Sequence, residues 1–410
     1  MARMRRATIL VTGWIAAACA LAAADAGKAL PATRLEDPCI DGTDGACKRH
    51  ALDGFAAALA AQRAGTADHP LRISYVGDSL TADDEITHAL RTKFVALVGD
   101  GGPGFAFAAP PHPYCQHRAL TRVVTGAWRV HAVSRAVPPD HLLGLGGSTE
   151  TDGGGSIRLV SRGPVTRIDI HYLAQPRGGS FAVLAGGKQV ATIETAAERK
   201  QAAFAQLEVP DGATKFELQA RGRVRLFGAS LEAARGAVVD NLGVVNATAK
   251  QLTTHNLAAH WKNQLAHRGA DLVIVMLGTN EAEWLAANST GMKEHERLFG
   301  ELLATVRAAS PTSSCLVVSP LDQLELHIEG MPPRESIAAM VEAQRRAAKA
   351  QGCAFWDTYA WMGGKGASRT WHKRGLVMND FQHPTTAGAA RIAAALYDGL
   401  TTRATPRLTN

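Results

Sequence analysis

The stretch ISYVGDSLTADDEI, residues 73–86, runs from an apolar segment straight into Gly77-Asp78-Ser79 and on into residues that begin helices. Ile73, Tyr75 and Val76 read as the end of a strand, and Gly77 permits a sharp turn that a Cβ would resist. Thr81, Asp83 and Asp84 offer caps to a helix implied by the spacing of Ile86, Ala89, Leu90 and Phe94. Ser79 then stands where helix N-terminal N–H groups point outward, a good position for a nucleophile. A lone Gly-Asp-Ser is as readily an ordinary strand-to-helix loop, so the rest of the chain has to decide.

Outward from this stretch the pattern is α/β. LRISYVGD (71–78), ADLVIVMLGTN (270–280), CLVVSPL (315–321) and CAFWDTY (353–359) are near-continuous apolar runs, as buried parallel strands should be. They alternate with helical patterns over 294–309, 334–351 and 386–400. Residues 122–232 differ: short alternating segments such as GSIRLVSRG (155–163) and VTRIDIHYLAQ (165–175), separated by Gly, Pro and Asp turns, predict an antiparallel β-sandwich inserted into the α/β domain. The expected organisation is a signal peptide at 1–26, an irregular lead-in at 27–50, a catalytic domain at 51–121 and 233–410, and the insert between them.

At 410 residues, 46% apolar and 20% charged, the chain is globular rather than disordered. Residues 1–26 carry a basic start, a short apolar stretch and Ala24-Asp25-Ala26, the pattern of a secretory signal cleaved after Ala26, which implies a secreted or periplasmic protein. Three arginines and one aspartate there hold +2 of the formal charge of +7, leaving a mature chain of about +5. No run of Lys and Arg with interleaved aromatics suggests nucleic acid, and no later segment suits stable membrane insertion. A monomer is expected. Among the remaining cysteines, Cys39 and Cys47 bracket a short turn, Cys315 and Cys353 open two candidate neighbouring strands, and Cys115 is left over. No C-x-x-C pair or zinc-type spacing occurs, so neither a metal nor a cofactor is expected, and PPHPYCQH (110–117) reads as a surface loop.

The strand 270–280 ends on Gly278-Thr279-Asn280, and near the C-terminus Asp380 stands three residues before His383 in a loop opening the last helix. Open α/β sheets bind ligands along the carboxyl edge of their strands. Ser, His and Asp are the set acyl transfer requires: an imidazole takes the hydroxyl proton, a carboxylate fixes the imidazole, and N–H donors meet the oxyanion. No G-x-S-x-G elbow is present.

Taken together, GDSL (77–80), NLGVVNA (241–247), LGTNEA (277–282) and DFQH (380–383) resemble, in order, the four motif blocks of the GDSL, or SGNH, hydrolases. The resemblance implies a flavodoxin-like three-layer α/β/α fold, Ser79 as nucleophile, Asp380 and His383 as its partners, and an oxyanion hole from the Ser79 N–H, the Gly243 N–H and the Asn280 side chain. Gly104, in GDGGPGF (99–105), is the alternative glycine. Asn280-Glu281 stands where many members have Asn-Asp. The GDGGPGF segment, the insert and the late His-Pro-Thr resemble the peptidoglycan O-acetylesterase branch, whose insert is similar to a carbohydrate-binding module. Asp78, Trp361 and Trp371 are read as substrate-facing, with packing an equal alternative for the two tryptophans. The implied activity is removal of O-acetyl groups from a glycan, with a general or lipid esterase, a sugar O-acetyltransferase and a non-catalytic glycan-binding protein as alternatives.

Overall fold

The computed structural model describes residues 32–403 apart from Asp44, Asp211 and Asn288; the expected signal segment lies outside the described residues. The chain opens with the hairpin β1 (Cys39–Asp41) and β2 (Arg49–His50), helix α1 (Asp53–Ala64), strand β3 (Leu71–Gly77), the one-turn helix α2 (Ser79–Ala82) and α3 (Glu85–Val98). It then leaves for eleven antiparallel strands: β4 (Gly104–Phe107), β5 (Leu120–Gly126), β6 (Arg129–Ala132), β7 (Gly147–Thr151), β8 (Gly155–Ser161), β9 (Arg167–Ala174), β10 (Ser180–Ala185), β11 (Lys188–Glu194), β12 (Gln201–Glu208), β13 (Lys215–Arg221) and β14 (Val224–Glu232). It returns at β15 (Ala237–Gly243) and continues through α4 (Ala249–Thr254), α5 (Ala258–Arg268), β16 (Leu272–Met276), α6 (Thr290–Ala309), β17 (Ser314–Val318), α7 (Ser336–Ala350), β18 (Ala354–Trp356), α8 (Thr358–Met362), α9 (Ala367–Lys373) and α10 (Thr386–Arg403).

Strands β15, β3, β16, β17 and β18, in that order, form one parallel sheet. Every residue of β16 and β17 is buried, because helices cover both faces. On one face Trp261, Phe299 and Met340 of α5, α6 and α7 pack against Val76, Val275 and Val317. On the other, Phe55 of α1, Phe94 of α3 and Tyr397 of α10 meet edge to face. From β3 the chain goes to one neighbour, β15, and then crosses to the other, β16, so the loops after all three diverge at one sheet edge.

The antiparallel strands form two sheets, β11-β10-β13-β8-β5 and β12-β9-β14-β7-β6 with β4 beside β14. Ile157, Phe181 and Phe216 from the first share a core with Ile170, Leu226 and Leu231 from the second. β13 buries alternate residues, whereas all of β14 is buried. The second sheet turns its other face toward α5, where Phe227 meets His260. Antiparallel pairing begins at Gly104 and β5 at Leu120, earlier than the expected boundary at 122, because the short β4 hides behind a glycine-rich flank.

Candidate active site

Ser79 is the first residue of α2, and the Asp78 carboxylate caps that turn by accepting the Leu80 N–H at 3.0 Å. Two glycines let the turn lie on the sheet edge. A Cβ on Gly77 would come within 2.0 Å of the Thr81 hydroxyl, and one on Gly243, its register partner on β15, within 2.3 Å of Ala82 N. Gly77 is thus required by close approach rather than by a left-handed backbone.

Asp380 and His383 occupy a tight turn before α10 in which Met378 N–H donates to the His383 carbonyl at 2.8 Å. Asp380 Oδ1 accepts the N–H groups of Gln382 and His383 at 3.0 and 2.9 Å, and Oδ2 accepts His383 Nδ1 at 2.8 Å. His383 Nε2 lies 2.8 Å from Ser79 Oγ, 304 residues away in sequence. The structure therefore joins the three side chains in one hydrogen-bonded line, serine to imidazole to carboxylate. Burial works to raise the Asp380 pKa, but the bonds from His383 and the two N–H groups outweigh it and hold the carboxyl down at about 2. The Asp380 hydrogen bond in turn raises the His383 pKa above its ordinary value against the effect of burial, with Asp78 and Asp83 adding to the rise.

Asn280 Nδ2 donates to the Ala247 carbonyl at 2.9 Å, and Glu281 Oε1 accepts Ala249 N–H at 2.8 Å, so Asn280 and Glu281 grip the turn after β15. The Gly243 N–H does not fit the expected oxyanion role: it donates to Asn241 Oδ1 at 3.0 Å, and the residue is glycine because α2 lies on it. Gly104 does not fit either, since it pairs with Leu231 in β4 and faces Val238 and Asp240, below the sheet edge. Asn246, in the gripped turn, is exposed and holds a left-handed φ of 62°. Its N–H and that of Ser79 have no acceptor among the described residues. The only sequence signal for Asn246 is its type: asparagine is among the few non-glycine residues at ease in that conformation.

The substrate-facing expectations fail. Asp78 is wholly buried, and burial pushes its carboxyl up to about 6. Trp361 and Trp371 are core residues, packed ring to ring with Trp371 Nε1 donating to the Met362 carbonyl at 3.0 Å. Two other aromatics are exposed instead: Trp284, 62% exposed and just beyond the turn that Asn280 begins, and Tyr114, 72% exposed in the loop whose Gln116 N–H donates to the Ala82 carbonyl of α2.

The model of the GDSL-like Lipase/Acylhydrolase family matches residues 209–391, which include Asn280, Asp380, His383 and four of the five parallel strands. Among solved structures, one described as "Peptidoglycan O-acetylesterase in action" superposes with a TM-score of 0.73 at 23% identity, covering 86% of this chain and 96% of that one. An acetylxylan esterase from Geobacillus stearothermophilus gives a TM-score of 0.30 at 18% identity over 40% of this chain and 73% of that one. No curated protein matches. The chain thus carries a GDSL-like lipase/acylhydrolase domain in the SGNH hydrolase fold and is a carboxylic ester hydrolase.

Proposed function

We propose that this protein is a secreted serine esterase that removes O-acetyl groups from a carbohydrate polymer, with O-acetylated peptidoglycan as the first candidate. The observation that carries the reading is the line from Ser79 Oγ through His383 to Asp380. His383 Nε2 takes the Ser79 proton as Oγ attacks the acetyl carbonyl, while Asp380 holds the imidazole and stabilises its charged form. The oxyanion is met by the N–H groups of Ser79 and Asn246 and by the second N–H of Asn280. His383 then protonates the departing sugar oxygen, leaving acetyl-Ser79, and water admitted by the same base releases acetate. The exposed Trp284 and Tyr114 offer ring faces to a pyranose near the serine. The antiparallel strands within residues 104–232 supply a glycan-binding surface packed against the catalytic part, and the Cys39–Cys47 and Cys315–Cys353 disulfides support an oxidising destination.

The test measures acetate released from O-acetylated peptidoglycan, O-acetylated xylan and a long-chain ester in parallel, with wild type and Ser79→Ala. Release from a glycan that falls by several orders of magnitude in Ser79→Ala is expected. Rates that rise with acyl length, by the roughly 0.8 kcal/mol each buried methylene contributes, would replace the glycan reading with a lipid esterase. Acetyl loss only when a sugar acceptor is supplied would replace it with a transferase.

A further inference from the structure

We propose that Asp169, His171 and His267 form a divalent-metal site, suited to zinc, that joins the second antiparallel sheet to the catalytic domain. Asp169 and His171 are two residues apart on β9 and so face the same side of the sheet, toward α5, where His267 is the penultimate residue. One ring nitrogen of each histidine and a carboxylate oxygen of Asp169 lie within 4.8 Å of one another. This cluster shares no residue with the proposed catalytic line and does not depend on the substrate assigned above.

The bonding around the three residues suits a cation. His171 is wholly buried, and its Nδ1 is satisfied by Gln264 Oε1 at 2.7 Å. That leaves the proton on Nδ1 and a lone pair on Nε2, which has no hydrogen-bond partner among the described residues. Asp169 Oδ1 is likewise buried with no partner among the described residues, while Oδ2 accepts Gln206 Nε2 at 3.0 Å and His267 Nε2 at 2.8 Å. Two buried electron-pair donors without a proton to share are what a metal ion would satisfy. The outer contacts are also of the kind metal ligands use: an amide oxygen fixes the His171 tautomer, and Phe204 stacks on the His267 ring with centroids 3.5 Å apart.

Two imidazoles and one carboxylate favour zinc over magnesium or calcium, which prefer all-oxygen sets. Zinc holds such donors at about 2.0–2.2 Å, so neighbouring donors stand roughly 3.3 Å apart in a tetrahedron. A small rotation of His267, whose side chain is 21% exposed, closes the gap and leaves a fourth position to water. As the metal binds, the proton on His267 Nε2 is given to solvent and the ring takes one up at Nδ1, so that Nε2 offers its lone pair while the imidazole stays neutral. The third ligand lies far beyond the other two in sequence, which is why no zinc-type spacing announces the site.

The experiment uses tag-free, chelator-stripped full-length protein titrated with Zn²⁺ alone by calorimetry, with Co²⁺ absorption and thermal melting in parallel. One equivalent bound, visible Co²⁺ bands and a raised Tm are expected. Binding should weaken more than tenfold in His267→Ala and in Asp169→Asn, and roughly ten- to a hundredfold in Gln264→Leu, which removes the hydrogen bond to His171 Nδ1. His267→Ala removes the most exposed ligand, so it decides the matter if the buried variants fail to fold. No binding by wild type, or unchanged stoichiometry and affinity in a folded His267→Ala, overturns the site.

Discussion

His383 is held by one carboxylate and overlooked by two more, and on the proposed mechanism their combined effect sets the pH range in which Ser79 reacts. Because the His383 pKa is raised, chiefly by the Asp380 hydrogen bond, its Nε2 loses the ability to accept a proton as pH falls through a value above the ordinary 6.5. The acid limb of kcat/KM for an aryl acetate should therefore have its midpoint above 6.5. Asp380→Asn should move that midpoint down and lower kcat; an unmoved midpoint would show that another group sets it. Asn246 gives a sharper contrast. Asn246→Gly keeps the N–H and suits the left-handed backbone, so activity should stay near wild type. Asn246→Val strains the same φ and should lower kcat on the order of a hundredfold, comparable to losing one oxyanion donor. Equal rates in the two variants would remove Asn246 from the hole. The triad candidates were legible in sequence because both are local patterns, a serine just past a strand and Asp-x-x-His opening a helix. Asn246 was not, because its part depends on a backbone angle. Trp361 and Trp371 misled because α8 and α9 are too short for periodicity to say which side faces in.

At the scale of elements, α2 can stay on the sheet edge only while Gly77 and Gly243 leave room for it. Gly243→Ala places a carbon against the Ala82 backbone, which cannot move aside as a flexible side chain would. Stability should fall by about 1–3 kcal/mol in denaturant unfolding, and turnover should fall further because Ser79 rides on that turn. A variant with full activity and unchanged stability would show that the turn has slack. The parallel strands and the helices after residue 290 were readable from apolar runs and helical spacing, and the Cys315–Cys353 bridge follows from their register, which sets Leu316 opposite Ala354. The start of the antiparallel excursion was not readable: in GDGGPGF the turn residues mask a strand that pairs with β14, 120 residues on.

At the scale of the molecule, one buried cluster of charges ties the two sets of strands together. Arg268 of α5 donates two hydrogen bonds to Asp240 at 2.8 and 2.9 Å and one to Glu232 at 2.7 Å, and Glu232 also receives Arg72 and Arg167. Burial alone would raise the Glu232 pKa, but the arginines hold it below the usual carboxylate range. A depressed pKa stabilises the fold above the unfolded value of about 4.5 and is lost as pH falls below it. Arg268→Met should therefore cost about 3–5 kcal/mol at neutral pH by leaving the buried Asp240 carboxylate without its guanidinium and taking one of three from Glu232, and the deficit should shrink in acid. Chemical denaturation at pH 7 and pH 4 checks both; a deficit that does not change with pH would point to lost packing instead. The span between Ser79 and His383 has a different consequence. The chain must be made through α10, and α10 must dock with Tyr397 on Phe94, before the Ser79 hydroxyl meets the His383 imidazole. On the proposed mechanism ester cleavage counts only molecules in which α10 has docked: a chain ended before residue 380 should be silent rather than weak, and in a refolding time course the first turnover should date the docking of α10.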